Sequence, residues 1–347
     1  MGTKERMINA MGEEIALRKD HLTHVDTLYF GGGTPSLLSS SELRTLFHQL
    51  HTHFTLSNTI EITLEANPDD ITTENLLLWK SLGINRLSIG CQTFDDETLF
   101  RLNRIHKAET SLAAFDLARK NGFDNISIDL MFGLPGQTEE LWQQDLQRAC
   151  SLRPEHISAY GLTIEPKTVF GSQVAKGTLI VPSENTQANF YETMMTTLEL
   201  QGYDQYEISN FCLPGFPSRH NSSYWEQEIY LGIGPSAHSF DGERRMWNPS
   251  NNMAYIKAIE EGKVAYSTEV LSTVDRTHEY ILTAIRTKKG LSLSKLINQF
   301  QYPKIKLLET VQLMQKFDWI TQSDDEIHLT ASGKLLADEI TLKFFLH

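Results

Sequence analysis

Cysteine is scarce in this chain of 347 residues, which contains only Cys91, Cys150 and Cys212. An odd number of cysteines, far apart in the sequence, does not suit a disulfide scaffold and is typical of a reduced protein. No C-x-x-C or other tight spacing occurs. The sequence therefore offers no metal site made of neighbouring cysteines, because such sites usually place their ligands in closely spaced pairs.

Positive charge and long apolar runs are lacking as well. The chain has 31 lysine and arginine residues against 44 aspartate and glutamate residues, which gives a formal net charge of −13. This balance argues against nucleic acid as a partner. No run reaches the length of about 18 apolar residues that a membrane span needs, and no apolar segment follows the first charged residues. We therefore expect no membrane span, no secretory signal and a cytoplasmic location.

Short β-branched runs alternate with helical periodicity between residues 27 and 166. The predicted strands are residues 27–30, 59–64, 86–89, 125–130 and 156–160. One intervening helix has Leu43, Leu46, Phe47 and Leu50 on one face, and the next is predicted to begin after Thr73 as its N-cap. This alternation predicts parallel βαβ units and an α/β fold. A partial TIM-like barrel is the preferred arrangement, and an open doubly wound sheet is the alternative.

The rest of the chain divides into two further predicted regions. Residues 171–270 are less regular, with one clear helix over residues 187–201. Residues 271–347 contain helices followed by a hairpin around the turn Ser323-Asp324-Asp325, which indicates a small winged-helix-like domain. The predicted organisation is therefore a barrel region over residues 1–170, a family-specific region over 171–270 and a winged-helix-like region over 271–347.

Polar and glycine residues gather at the ends of the predicted strands. The first strand runs into Gly31-Gly32-Gly33-Thr34-Pro35, where bare backbone lets a ligand approach closely. Further polar groups at or near the strand ends are Glu65, Asn67, Gln92, Arg104 and Asp129. Ligands of parallel sheets and barrels bind at this edge.

Carboxylates, an amide and a guanidinium together suit a zwitterionic or nucleoside ligand. The alternative interpretation is structural, with Glu65 and Arg104 as an ion pair and Gln92 as a satisfied core amide.

Four motifs give the chain a family resemblance. They are YFGGGTP at 29–35, EANP at 65–68, SIGCQTF at 88–94 with Asn103-Arg104, and IDLMFGLPGQT at 128–138. Together they resemble the radical S-adenosylmethionine family, in the branch that contains the oxygen-independent coproporphyrinogen III oxidases and the HemW heme chaperones. The resemblance extends over nearly the whole chain, and it reproduces the twelve-residue step from Gln92 to Arg104 without a gap.

The resemblance implies a partial (β/α)6 barrel that binds S-adenosylmethionine. The residues that match the family's contacts are Gly32, Gly33, Thr34, Glu65, Gln92, Arg104 and Asp129. Members of the family also carry C-x-x-x-C-x-x-C after the first barrel strand, and those cysteines hold a 4Fe-4S cluster. No cysteine precedes Gly31 here. We therefore expect the first strand and the cluster loop to be missing, and no radical chemistry from this chain alone.

A later motif resembles the heme chaperone branch in particular. The sequence His220-Asn221-Ser222-Ser223-Tyr224-Trp225 fits H-N-x-x-Y-W. Imidazole ligates heme iron and aromatic faces pack on porphyrin, so candidate heme residues are His220, Tyr224, Trp225 and His238. The alternative for each histidine is a hydrogen-bonded residue that holds a loop.

The function that the resemblance implies is binding of heme from a possible donor and transfer to an acceptor protein. One alternative is an oxygen-independent coproporphyrinogen III oxidase, which would need the cluster. The other alternative is a degenerate relative that serves only as a binding module.

Overall fold

A curved seven-stranded sheet organises the first part of the protein in a computed structural model, which describes residues 2–346. Its strands are β1 (His24–Phe30), β2 (Thr55–Ala66), β3 (Arg86–Gln92), β4 (Ile126–Phe132), β5 (His156–Gly161), β6 (Asp204–Glu207) and β7 (Asn210–Cys212). The spatial order is β1-β2-β3-β4-β5-β7-β6. Strands β1 to β5 are parallel, and β7 pairs antiparallel with both β5 and β6. The sheet is therefore a half-barrel whose parallel part the sequence predicted, and β6 and β7 are additions that it did not.

Helices precede and connect the parallel strands. Helix α1 (Thr3–Leu17) comes before β1, and the connecting helices are α2 (Ser40–His53), α3 (Thr73–Ser81), α4 (Asp96–Arg101), α5 (Ala108–Lys120) and α6 (Glu139–Leu152). Helix α2 begins with a capping box between Ser39 and Glu42. The predicted N-cap of α3 was wrong by one position, because the Thr72 hydroxyl accepts from the Asn75 N–H and Thr73 is already helical.

The two faces of the sheet differ in polarity. Apolar strand residues such as Leu64, Leu87 and Ile128 are buried in one cluster with helix residues that include Trp79 and Trp142. Alternate positions of the same strands carry polar side chains, because successive residues of a strand point to opposite faces. The strand registers align these polar positions in rows, such as Glu65, Ser88, Ser127 and His156 across β2 to β5. The concave face of the half-barrel is therefore polar.

The middle region packs on several parts of the half-barrel. It contains α7 (Val169–Ala175), α8 (Glu184–Leu200), α9 (Arg219–Trp225), α10 (Asn252–Glu260) and a three-stranded sheet of β8 (His238–Phe240), β9 (Arg244–Trp247) and β10 (Ser267–Val270). Helix α9 is fixed beside β1 and β2, since the backbone N–H groups of Arg219 and His220 donate to the Glu61 carboxylate at 3.2 and 3.0 Å. Part of the middle region therefore lies close to the polar face.

The last region has an apolar cluster of its own. It contains α11 (Thr273–Ala284), β11 (Leu291–Ser292), α12 (Leu293–Asn298), α13 (Lys304–Lys316), β12 (Ile320–Ser323), β13 (Glu326–Leu329), α14 (Ala331–Leu335) and α15 (Ala337–Lys343). Leu296, Val311 and Ile327 are buried together there. Helices followed by the β12–β13 hairpin agree with the winged-helix-like prediction. The exact domain boundaries stay a prediction.

A buried carboxylate fastens α1 to the middle region. Glu14 is fully buried and accepts four hydrogen bonds, from Arg18 Nη1, the Gly234 N–H, Asn248 Nδ2 and the Tyr255 hydroxyl. Three of these donors lie more than 200 residues away in sequence.

No helix between residues 2 and 346 combines the length and the apolarity needed to cross a bilayer.

Candidate functional site

The glycine loop after β1 is held by the Glu65 carboxylate at the end of β2. The Gly32 N–H donates to Oε2 at 3.2 Å, and the Tyr29 hydroxyl donates to Oε1 at 2.8 Å. A Cβ on Gly31 would lie 2.6 Å from Tyr29 Cε1 and 2.9 Å from Glu65 Oε1, so this position requires glycine. Gly32 and Gly33 have φ of 73° and 68°, a conformation that glycine adopts at low cost. The loop therefore presents bare backbone next to a carboxylate.

Asp129 lies in the middle of β4, whereas Glu65 and Gln92 lie at the ends of β2 and β3. The Ser88 hydroxyl lies 3.0 Å from each of its carboxylate oxygens. Burial raises the pKa of Asp129 to about 6, although hydrogen bonds from Ser158 and Ser88 and the nearby Arg86 guanidinium lower it. The negative charge of Glu65 also raises this pKa, which places the two carboxylates within electrostatic reach of each other. Asp129 is therefore a carboxylate that can change its protonation near neutral pH.

Gln92 and Arg104 complete the group of polar residues around the glycine loop and the carboxyl ends of the strands, which we call the rim. Gln92 ends β3 with φ of 69°, after an irregularity in the pairing with β4, and such a backbone in a non-glycine residue is held by its surroundings. Arg104 Nη1 donates to Asn67 Oδ1 at 3.4 Å, which brings the guanidinium to the end of β2. The suggested Glu65–Arg104 ion pair is wrong, because Glu65 pairs with Tyr29 and Gly32 instead. Glu65 and Gln92 thus lie at the carboxyl ends of their strands and Thr34 lies in the glycine loop, whereas Asp129 lies deeper, in the middle of β4.

His220 on α9 packs against the same edge of the half-barrel. Its ring stacks on Tyr29 with centroids 4.8 Å apart. Its Nδ1 lies 2.9 Å from Thr27 Oγ1, and its Nε2 lies 3.1 Å from the Tyr224 hydroxyl. Burial, with a smaller contribution from Arg86, lowers the pKa of His220 to about 4. The imidazole is therefore neutral at physiological pH, and both of its nitrogens have hydroxyl partners.

Of the other candidate heme residues, Tyr224 lies with His220, whereas Trp225 and His238 lie elsewhere. Tyr224 contacts the His220 ring edge-on at 5.0 Å. Trp225, the next residue of α9, instead lines a separate cavity. His238 is exposed on β8 and stacks on Trp247 at 6.1 Å. The structure thus distributes these four side chains over three environments.

A buried hydrogen-bond chain was missed from the sequence. Ser127 Oγ lies 3.4 Å from Asp129 Oδ1 and 2.8 Å from His156 Nδ1, and His156 Nε2 lies 2.8 Å from the Tyr206 hydroxyl. Burial lowers the pKa of His156 well below its usual value, with Arg86 acting in the same direction, so the ring is neutral. The alternation of polar residues along β4 and β5 was the available signal for it.

Arg86, the first residue of β3, was missed as well. It is 1% exposed, and its Nε has no hydrogen-bond partner in the part of the chain that the structure describes. Its charge acts on Asp129, His156 and His220. This buried guanidinium offsets part of the negative charge that Asp129 brings to the concave face.

The residues present do not fit a 4Fe-4S cluster. Cys91 lies on β3, Cys150 on α6 and Cys212 on β7. Burial raises the pKa of the Cys91 thiol to about 12 and those of Cys150 and Cys212 to about 11, which disfavours the thiolates that bind iron. Among residues 2–346 no three histidine, cysteine or acidic side chains are grouped as a metal would require.

Comparison with known proteins identifies the family. A family model described as "Radical SAM superfamily" matches residues 4–149. The chain is 37% identical over 342 residues to "Heme chaperone HemW" of Bacillus subtilis, covering 97% of this chain and 90% of that protein. The chain belongs to the HemW family. It is also 30% identical to HemW of Escherichia coli over 345 residues, covering 99% of this chain and 89% of the relative.

A solved structure supports the fold. Coproporphyrinogen III oxidase (HemN) from Escherichia coli, described as a radical SAM enzyme, matches with a TM-score of 0.85 at 25% identity. The match covers 98% of this chain and 82% of that one. The predicted fold class, a partial radical SAM barrel with a further C-terminal domain, is therefore confirmed for this member of the HemW family.

Proposed function

We propose that this protein binds heme and transfers it to an acceptor protein. The observation that carries the proposal is its similarity, over 97% of its length, to a relative named heme chaperone HemW. The chemistry of the polar face agrees with such a function, because His220 is neutral and a neutral imidazole is the form that ligates heme iron. We expect a cytoplasmic protein without a nucleic-acid partner.

The iron ligand is proposed to come from the candidate histidines. His220 can ligate iron once its Nε2 leaves the Tyr224 hydroxyl, whereas His238 is exposed and can do so without breaking a buried contact. Replacing each histidine by alanine separates them, because loss of the true ligand changes the position of the Soret band.

We propose further that the rim binds S-adenosylmethionine. Glu65 and Asp129 would accept hydrogen bonds from its ammonium or ribose hydroxyls, and Arg104 would pair with its carboxylate. The backbone of Gly32, Gly33 and Thr34 and the Gln92 amide would provide further contacts. A 4Fe-4S cluster would supply the electron for radical chemistry in the family, but the cysteines present do not fit one. We therefore expect binding of S-adenosylmethionine without its cleavage.

The second candidate is an oxygen-independent coproporphyrinogen III oxidase. The structural similarity to HemN at a TM-score of 0.85 favours it. An assay of coproporphyrinogen III consumption under anaerobic reducing conditions tests this candidate directly. Turnover by the purified protein would overturn the chaperone proposal. Absence of turnover does not separate the two candidates, because the cysteines present do not fit the cluster that turnover requires, so support for the chaperone has to come from heme binding and transfer.

The main experiment is a heme titration followed by a transfer assay. We expect the Soret band to saturate at one hemin per chain. Mixing the loaded protein with an increasing concentration of an apocytochrome should then give a transfer rate that rises with acceptor concentration. A rate independent of acceptor would mean passive release, and failure to bind hemin stoichiometrically would remove both heme functions.

A further inference from the structure

Gln92 lies at the apex of a tight three-residue turn at the end of β3. The Thr93 N–H donates to the Cys91 carbonyl at 2.9 Å across Gln92, whose φ is 69°. A γ-turn with a positive φ at its central residue is rare and strained. Strain of this kind persists only where surrounding contacts hold it, and it is concentrated at functional sites. Contacts outside the turn must therefore hold Gln92 in this conformation.

The turn places the side-chain amide of Gln92 over Gly90. A Cβ added to Gly90 would lie 3.0 Å from Gln92 Nε2. Gly90 lies opposite Asp129 in the register between β3 and β4. The half-buried Gln92 amide makes no hydrogen bond with another residue of the part of the chain that the structure describes. It is therefore available to a ligand that lies beside Asp129.

Asp145 of α6 holds the two residues that follow Gln92. The Thr93 hydroxyl donates to its Oδ2 and the Phe94 N–H donates to its Oδ1, each at 2.7 Å. Asp145 is 2% exposed and Thr93 is 1% exposed, so both hydrogen bonds are shielded from water. Arg148 of the same helix donates to the Phe94 carbonyl at 2.7 Å. One helix thus fixes the chain immediately after the strained residue.

The charge of Asp145 does not serve the stability of the fold. Burial raises the pKa of Asp145 to about 6, and Asp95 acts in the same direction, whereas the Phe94 N–H, the Thr93 hydroxyl and Arg148 lower it. A raised carboxyl pKa means that folding disfavours the ionised form, so this charge lowers stability at neutral pH. A group retained against stability is typical of functional sites.

We propose that Asp145 is a positioning residue for the ligand of the rim. It holds the turn through Thr93 and Phe94, and the turn presents the Gln92 amide to the ligand. The inference rests on the proposed binding of S-adenosylmethionine at the rim. It adds a residue that none of the motifs of the family resemblance contains, on a helix that follows β4.

The test is a double-mutant cycle on the affinity of the full-length protein for S-adenosylmethionine, measured by equilibrium dialysis. The variants are Q92A, D145A and Q92A/D145A, and a thermal melt of each measures its stability. The control is E140A, which removes an exposed carboxylate from the same helix. T93V and T93S form a second pair in case D145A does not fold, because only T93S keeps the hydroxyl that donates to Asp145.

We expect Q92A to weaken binding about tenfold, the loss typical of one hydrogen bond to a ligand. D145A should weaken it by a similar factor. The double variant should bind no more weakly than Q92A, because no amide is then left to position. D145A should nevertheless lower the melting temperature by a similar amount with and without Q92A, so a purely structural effect is measured separately. E140A and T93S should bind like the wild type, and T93V should bind more weakly.

Two results would overturn the inference and leave the proposed binding intact. One is wild-type affinity in D145A, or in T93V if D145A does not fold. The other is a loss of about a hundredfold in Q92A/D145A, since independent effects multiply and Asp145 would then not act through Gln92. Failure of the wild type to bind S-adenosylmethionine would instead overturn the proposed binding, and the inference with it.

Discussion

Replacing Glu14 by alanine should destabilise the protein strongly, because this carboxylate joins α1 to the middle region. Glu14 is 0% exposed and accepts from Arg18, Gly234, Asn248 and Tyr255. Alanine leaves all four donors without their acceptor. Arg18 suffers most, since its guanidinium stays buried, and its remaining contacts are neutral oxygens of Gly232 and Ser239.

The size of the expected destabilisation follows from the charge and the donors that Glu14 leaves behind. Breaking a buried ion pair by removing one member costs about 3–5 kcal/mol, because the other charge is left uncompensated. A buried hydrogen bond to a charged group contributes about 1.5–3 kcal/mol, and four such bonds on one carboxylate are not additive. We therefore expect E14A to lower the free energy of unfolding by about 4 kcal/mol. E14Q should cost nearly as much, because it also leaves the Arg18 charge uncompensated and turns its NH2 group toward two of the four donors.

Urea titration followed by circular dichroism measures this difference, provided that the slope of the transition stays constant between variants. Glu13 is the matched control, since it is the preceding residue of α1 and is exposed. E13A should change the free energy of unfolding by less than about 0.5 kcal/mol. A loss below about 1 kcal/mol for E14A would refute the reasoning, because the network would then contribute no more than an ordinary surface contact.

Four further predictions concern the rim. E65Q should weaken S-adenosylmethionine binding at least about tenfold in equilibrium dialysis, since it removes a charge and an acceptor for the glycine loop. The pKa of Asp129 is raised to about 6, so binding that needs its carboxylate should strengthen from pH 5 to 7, and D129N should remove this dependence. G31A should cost about 1–3 kcal/mol in a thermal melt through its clash with Tyr29. The pKa of His220 is lowered to about 4, so stability should fall as the pH drops from 6.5 to 4, and less in H220N.

The parallel half of the sheet could be predicted because its strands are short apolar runs separated by well-marked helices. The strands β6 and β7 could not, since four and three residues with few β-branched side chains give almost no periodic signal. They form because β7 satisfies the free edge of β5. The start of α3 was misassigned because Thr72 and Thr73 are chemically equivalent as caps, and only the backbone conformation distinguishes them.

The rim could be predicted from residues that follow apolar strands, such as Glu65 and Gln92. The deeper polar face could not be predicted in the same way. Arg86 and His156 begin their strands, where a charged or polar residue usually marks a solvated strand end. Their burial depends on the curvature of the sheet and on α9, which are properties of the assembled fold. The cavity beside Trp225 depends likewise on residues more than 50 positions apart in sequence.

In the hydrogen-bond chain beneath the rim, the direction of one hydrogen bond determines the direction of the next. The Ser127 hydroxyl has one proton, which can point to Asp129 or to His156 Nδ1, at 3.4 and 2.8 Å. In the first case His156 carries its proton on Nδ1, and its Nε2 accepts a hydrogen bond from the Tyr206 hydroxyl. In the second case Nε2 donates to the Tyr206 oxygen, and the phenol proton is free to turn toward the cavity that Tyr206 lines. A ligand that binds Asp129 therefore selects the tautomer of the buried His156 imidazole, and with it whether the Tyr206 hydroxyl donates to His156 or toward the cavity. Nitrogen chemical shifts of His156, recorded with and without S-adenosylmethionine, would report that selection.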